Sequence, residues 1–412
     1  MSRSVTKRAV VGSLTAVGLL AAMGNPPASA QDTLKLGAVN PSSGALALYG
    51  DEVTRGFELA ADWINAKGGV LGKKVVVIRG NAASPQEGIA AVEQFVSRDK
   101  VDVLIGTYIS AVSSAASEAA LNHNKLYWET NALASELTSR GLPNFIRSGS
   151  HSAIFAGSSA KTVMNLVAKA INKDPKDLKV WIEHEDSIYG TSIAKEQERV
   201  FKEAGVQVLG VGAHSFKSID LTDSILRARK AEPDVWMQAG YIPDTNLLLR
   251  TARDQNFKPA AMVTLGTGDT YETLEALGKE RLEGVLVISW PRYDINPKFG
   301  PGAVDYVTAY RAKYSKDPIA PQGMVAYVGA KVLFKALEAA KSTDPDKVRA
   351  AALKIDEPAG TYETGFGVKF DDKAQNSRAL PVTAQWQDGK MVTVFPLEAA
   401  PDGTKLVPLA RK

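Results

Sequence analysis

The chain is predicted to be an α/β protein built from two doubly wound parallel sheets in tandem, and three observations lead there. Short runs of near-continuous Val, Ile and Leu recur along it, as sheets covered on both faces require. Amphipathic stretches at helical spacing separate those runs. The alternation restarts after about residue 150, so one βα series is followed by another.

The first thirty residues stand apart. Arg3, Lys7 and Arg8 precede the apolar run AVVGSLTAVGLLAAMG, and PPASA follows before QDTLK. That is the pattern of a secretory signal peptide with small residues at Ala28 and Ala30, so cleavage after Ala30 and no membrane anchor are expected. The mature chain then opens with the strand TLKLGAV and a loop, NPSSGALALYG, that leads into a helix with Val53, Phe57, Ala60 and Ile64 on one face. KKVVVIRG is the second strand. In the next helix Ser84 is the N-cap, Pro85 takes the first position and Glu87 completes a capping box. VDVLIG is the third strand.

The second series comprises a helix over 152–172, strand LKVWIE, a helix over 190–204, strand VQVLGVG, a helix over 220–231 and strand DVWMQAG. A helix over 243–255 and the strands AAMVTLG and GVLVISW follow. Helices over 299–315 and 321–341 come next. The ending, VKFDDK, ALPVTAQWQ and MVTVFPL, is rich in strand formers and breaks the βα repeat, as terminal strands and hairpins near a hinge would.

Composition removes several function classes. The formal net charge is +4, of which three positive charges lie in the acid-free first thirty residues, leaving the remainder near +1. That balance gives no electrostatic footprint for nucleic acid or an anionic membrane. The chain has no cysteine, so no disulfide, thiolate metal site or cysteine nucleophile can form, and a lipid-anchored export signal is ruled out. GTGDTY at 266–271 lacks the third glycine of a dinucleotide fingerprint, and GGVLGKKV at 68–75 has the wrong spacing for a phosphate loop. HEDSI starts like a zinc motif, but Ile188 stands where the second histidine belongs. No cofactor, metal site or catalytic group is expected.

The stretch WIEHEDSIYG, Trp181 to Gly190, packs Glu183, His184, Glu185 and Asp186 into four positions. With the strand ending near Glu183, these charges read as a polar turn that favours the next helix N-terminus, and Tyr189 as the ligand-facing residue beside Asp186 and Ser187. Open parallel sheets hold ligands outside the C-terminal ends of their strands. Five such loops carry hydroxyls or rings, and the aromatic residues Tyr49, Tyr108, Trp128, Tyr189, Tyr241 and Trp290 cluster at strand ends, where rings can line an apolar pocket. In GTYISAVSS the helix is expected to start near Ser110, presenting its side chain and the first free N–H groups to a carboxylate.

Taken in order, PSSGALALYG, RGFELAADWINAKGGVLGKK, ASPQEGI, IGTYIS, ASELTSRG, FIRSGS, EDSIYG, QAGYIPD and SWPRYD resemble the periplasmic solute receptors of the leucine/isoleucine/valine-binding type. These belong to ABC importers for branched-chain amino acids, amides and related molecules. The resemblance implies a type I periplasmic binding protein fold of two lobes joined by three crossings: residues 31–150 plus 284–357, and 151–283 plus 358–412. It implies a monomeric periplasmic receptor, not an enzyme, that closes on a small carboxylate, amino acid or amide and presents it to an inner-membrane permease; a sensor serving a signalling receptor is the alternative. By motif, Ser110 and the backbone near Ala132 would hold a ligand carboxylate, with Tyr49, Tyr108, Tyr189 and Tyr241 as ring positions. Leu265 stands where many amino-acid-binding members carry an acid for the ligand ammonium, and Leu133 where a hydroxyl is common. Either Glu129 or Asp269 supplies that charge, or the ligand has no ammonium.

Overall fold

The computed structural model describes residues 32–409 and a few isolated positions before residue 10; the expected leader and its cleavage site fall outside the described residues. The first sheet contains β1 (Thr33–Val39), β2 (Lys74–Arg79), β3 (Val103–Gly106), β4 (Tyr127–Glu129) and β5 (Phe145–Arg147), in the order β2-β1-β3-β4-β5 with every pairing parallel. The second contains β6 (Lys179–Glu185), β7 (Gln207–His214), β8 (Val235–Ala239), β9 (Ala261–Leu265) and β10 (Leu286–Ser289), in the order β7-β6-β8-β9-β10. Both halves therefore have the same doubly wound order, which reverses between β1 and β3 and between β6 and β8. Those reversals open crevices at the C-terminal strand ends.

The local signals act as expected. Ser84 accepts from Glu87 N at 3.3 Å while the Glu87 carboxylate accepts from Ala83 N at 2.7 Å, closing the capping box. The helices Ala303–Tyr314 and Gln322–Ala340 return to the first lobe: Lys313 pairs with Asp62 at 2.6 Å, and Tyr310 donates to Glu52. Helix Gln322–Ala340 crosses helix Ala47–Asn65 so closely that a Cβ on Gly56 would lie 2.1 Å from Gly323 O. The helices Tyr271–Leu277 and Pro345–Ala352 were not anticipated by the pattern.

Two expected boundaries shift. The segment from 284 was assigned to the first lobe, yet Leu286–Ser289 lies between β9 and the antiparallel β13 (Val382–Gln387) in the second sheet. Its VLVIS run is apolar enough to be buried on both faces, and only after Ser289 does the chain cross. The segment from 358 was assigned to the second lobe, yet the short β11 (Asp356–Glu357) and β12 (Val368–Lys369) pair together, and Gln375 bridges Arg147 of β5. The third crossing thus follows Asn376. β13 and β14 (Lys390–Phe395) then form the hairpin that extends the second sheet to seven strands.

Candidate functional site

The loops after β3, β6 and β8 meet between the lobes in a continuous row of rings. Tyr49 stacks on Tyr108 at 4.6 Å, Tyr108 meets Tyr241 at 5.9 Å, and Tyr241 meets Tyr189 at 5.3 Å and Phe216 at 5.1 Å. Tyr108, Asn131, Leu133, Tyr189, Tyr241, Gly266 and Trp290 line a narrow cavity of about 10 Å³, room for about one water. It lies at the switch point of the second sheet, since Tyr189 follows β6 and Tyr241 follows β8.

Each second-lobe ring is held by a buried acid. Beside Tyr189, the Glu185 carboxylate accepts from Ser187 N (2.8 Å), Ser187 Oγ (2.6 Å) and Gly190 N (2.7 Å), tying down the start of helix Ile188–Glu203. Burial raises the Glu185 pKa even though these bonds favour the ionised form. Tyr189 donates its hydroxyl to Leu265 O at 2.8 Å. Beside Tyr241, Asp244 accepts from the Tyr241 N–H at 2.9 Å and receives His214 Nε2 at 2.9 Å. His214 Nδ1 contacts Glu183 Oε1 at 3.0 Å, and Glu183 also accepts from Trp181 Nε1 at 3.1 Å. Burial alone would lower the His214 pKa, but its bonds and attraction to Asp244 and Glu183 outweigh that and hold it at about 9. The imidazolium thus neutralises part of the charge behind Tyr241.

The acidic stretch is therefore not the polar lip it resembles. β6 runs on through Glu185, Glu183 and Glu185 are fully buried, and only Asp186 of the four is exposed. The strand continues because β7 pairs with it as far as His214 opposite Glu185. No group of three or more His, Asp or Glu able to hold a metal occurs among the described residues.

The first-lobe candidates are arranged differently from the expectation. Glu129 is fully buried, and its Oε1 accepts from the backbone N–H groups of Thr107 (2.6 Å), Thr130 (2.8 Å), Asn131 (2.9 Å) and Ala132 (2.9 Å). Ser113 Oγ donates to Oε2. Burial raises the Glu129 pKa against the pull of these donors. This acid is a structural anchor rather than a partner for a ligand ammonium, and it occupies the Ala132 N–H that was expected to bind a carboxylate. Ala132 O is likewise taken by buried Arg147 at 2.9 Å. Ser110 is the first residue of helix Ser110–Asn122, and its Oγ accepts from Ala134 N at 3.2 Å, so it braces the neighbouring loop. Asp269 accepts from Tyr49 at 3.1 Å and from Ser289 Oγ at 2.6 Å. It links the lobes with both oxygens engaged. Burial, with the Asp269 charge second, raises the Tyr49 pKa well above its usual range.

Among the residues lining the cavity, Tyr108, Tyr189 and Tyr241 are those singled out from the sequence as ligand-binding. Trp290 was named only as a ring at a strand end, and Asn131 and Gly266 were not named. Trp290 had a signal, an aromatic residue directly after a strand; Gly266, in the turn after β9, had only its glycine. Gly266 has φ +73, and a Cβ there would lie 2.6 Å from Tyr189 Oη. Two polar atoms on this wall, Tyr241 Oη and Trp290 Nε1, are buried and make no hydrogen bond among the described residues. Buried polar atoms without partners are costly to a fold.

Two α/β lobes joined by three crossings, with an aromatic cavity between them, define a two-lobed ligand receptor. The chain belongs to the periplasmic binding protein family, whose sequence pattern matches residues 33–400. It is 38% identical over 388 residues to the Leu/Ile/Val-binding protein homolog 7 of Brucella suis biovar 1 (strain 1330), covering 94% of this chain and 96% of that one. Its fold is also that of the leucine-binding protein LivK from Thermotoga maritima, with a TM-score of 0.75 at 21% identity over 88% of this chain and 97% of that chain. A solute-binding protein of an ABC transporter from R. palustris, solved with 4-hydroxybenzoate, superposes with a TM-score of 0.75 at 20% identity over 90% of this chain and 99% of that one.

Proposed function

We propose that this chain is an extracytoplasmic receptor that captures a small organic molecule between its lobes and presents the closed form to an ABC permease. The observation that carries this reading is the interlobe cavity, walled by rings from both lobes and bearing two buried polar atoms without partners. A ligand that touches both walls binds the closed form better than the open one and shifts the population toward it. The low local polarity strengthens each of the few hydrogen bonds it makes.

The family and its Leu/Ile/Val-binding homologs support a binding role over catalysis, and the acids in the second lobe are engaged in internal bonds rather than free for general acid–base work. The family and the leader-like pattern of the first thirty residues support periplasmic residence, and a monomer suits a protein that must open and close against a membrane partner. The reading is tested by a thermal-shift screen of amino acids, amides, urea derivatives and aromatic acids, because a ligand specific to the folded state raises the melting temperature. A hit whose binding is abolished by Tyr189→Ala supports it. A hit that binds Tyr189→Ala and Trp290→Ala as tightly as wild type places the site elsewhere.

A further inference from the structure

We infer that Ser152 and Ser192 are positioning residues: from the second lobe they grip the first-lobe loop 130–135, which makes the shape of one cavity wall and the closure of the lobes a single equilibrium. The inference rests on the proposed role of the cleft for the use to which that wall is put. Its test needs no ligand, so the two fail separately.

The loop leads from β4 to the short helix Glu136–Ser139, and its Asn131 and Leu133 line the cavity. Its first half is fastened to the first lobe alone. The N–H groups of Thr130, Asn131 and Ala132 donate to the buried Glu129 carboxylate at 2.8, 2.9 and 2.9 Å, so one acceptor fixes the direction of three successive amides. Ala132 O and Ala134 O accept from Arg147 Nη1 at 2.9 and 2.8 Å. Arg147, at the end of β5, is fully buried and is itself held by Gln375 of the third crossing.

The remaining bonds of the loop cross to the second lobe. Leu133 O accepts from both Ser152 N (2.8 Å) and Ser152 Oγ (2.9 Å), at the first residue of helix Ser152–Thr162. Ser135 N donates to Ser192 Oγ at 3.0 Å, and Ser192 lies in the second turn of helix Ile188–Glu203. Both serines are buried.

Ordinary helix chemistry accounts for only part of this. A first-turn N–H such as that of Ser152 needs an acceptor outside its own helix, but its hydroxyl has no such need. A serine inside a helix commonly bonds back to the carbonyl four residues earlier; Ser192 serves an amide of the other lobe. Rotation of the lobes away from each other leaves Glu129 and Arg147 in place and withdraws Ser152 and Ser192. Leu133 O and Ser135 N would then lose buried partners, which is costly unless the loop moves with them. Anything that holds Asn131 and Leu133 in their closed arrangement therefore favours closure, and closure presets the wall.

The test is hydrogen exchange and solution scattering on the mature chain without ligand. Ser192→Ala is expected to speed exchange of the Ser135 amide roughly tenfold. Ser152→Ala combined with Ser192→Ala is expected to speed the Asn131 and Ala132 amides, which touch neither serine, roughly fivefold, and to raise the radius of gyration. Ser192→Thr keeps the acceptor oxygen and is expected to match wild type in every readout. An unchanged Ser135 amide in Ser192→Ala overturns the inference. So does faster exchange confined to Ser135, with Asn131, Ala132 and the radius of gyration as in wild type, because the serines would then fill local bonds only. If the double variant fails to fold, Ser192→Ala alone decides: its Ala132 amide is expected to exchange roughly threefold faster, and parity with wild type overturns the inference.

Discussion

Glu129 and His214 show how single buried side chains set what the cleft can do. Replacing Glu129 with Ala would leave the N–H groups of Thr107, Asn131 and Ala132 without their acceptor, while Thr130 N keeps Gly106 O at 2.7 Å, and orphaned buried donors cost about 1–3 kcal/mol each before relaxation. Glu129→Ala is therefore expected to lose about 3–5 kcal/mol in urea unfolding, whereas Glu129→Gln, which keeps one acceptor oxygen, loses less. Equal losses would mean the amides do not depend on that oxygen. Removing His214 strands Glu183 and Asp244 as unpaired buried acids. His214→Ala is expected to cost about 3–5 kcal/mol and to weaken ligand binding through Tyr241, whose N–H Asp244 holds. Tyr189 and Tyr241 are legible in the sequence because each closely follows a strand end. Glu129 is not: nothing in YWETNALAS distinguishes a carboxylate that faces a ligand from one that folds back on its own loop.

Among elements, the turn after β9 matters most, since Gly266 occupies the left-handed region at φ +73 while bordering the cavity. Gly266→Ala is expected to cost about 1–2 kcal/mol from backbone strain and to push against Tyr189 Oη, 2.6 Å from the new Cβ. A lower melting temperature together with weaker ligand binding is the expected pair of results; an unchanged affinity would place the ligand away from this wall. The strands of lobe cores are legible because buried parallel strands are near-continuous in Val, Ile and Leu, as in VLIG and LVIS. The lobe boundary at β10 is not, because a strand's apolar run says that it is buried but not which sheet receives it. The same holds for Gln375, whose pairing with Arg147 joins residues far apart in sequence.

For the whole molecule, opposing histidines bound the pH range of stability. The folded-state pKa of His214 is held at about 9, above its ordinary 6.5, so its stabilisation is full below pH 6.5 and fades as pH rises toward 9. His151, at the first crossing, is pushed down to about 4 by burial and then by the Arg147 charge, so the stability it contributes is present above pH 6.5 and is lost as pH falls toward 4. His214→Gln is expected to flatten the alkaline limb of a melting-temperature profile, and His151→Asn the acid limb. Profiles parallel to wild type would remove these histidines as causes. Closure is a second property at this scale, since Tyr49 of the first lobe donates to Asp269 of the second. Tyr49→Phe is expected to shift the lobes toward the open form by about 1 kcal/mol, seen as a larger radius of gyration in solution scattering without ligand.

The central claim, that a small molecule is held between the lobes by Tyr108, Tyr189, Tyr241 and Trp290, is tested most directly by a crystal structure of the protein with the best hit of the thermal-shift screen. The expected result is ligand density among those four rings, with oxygen atoms in hydrogen-bonding range of Tyr241 Oη and Trp290 Nε1. Density for the same compound on the outer face of either lobe, with the four rings packed against one another as before, would contradict it.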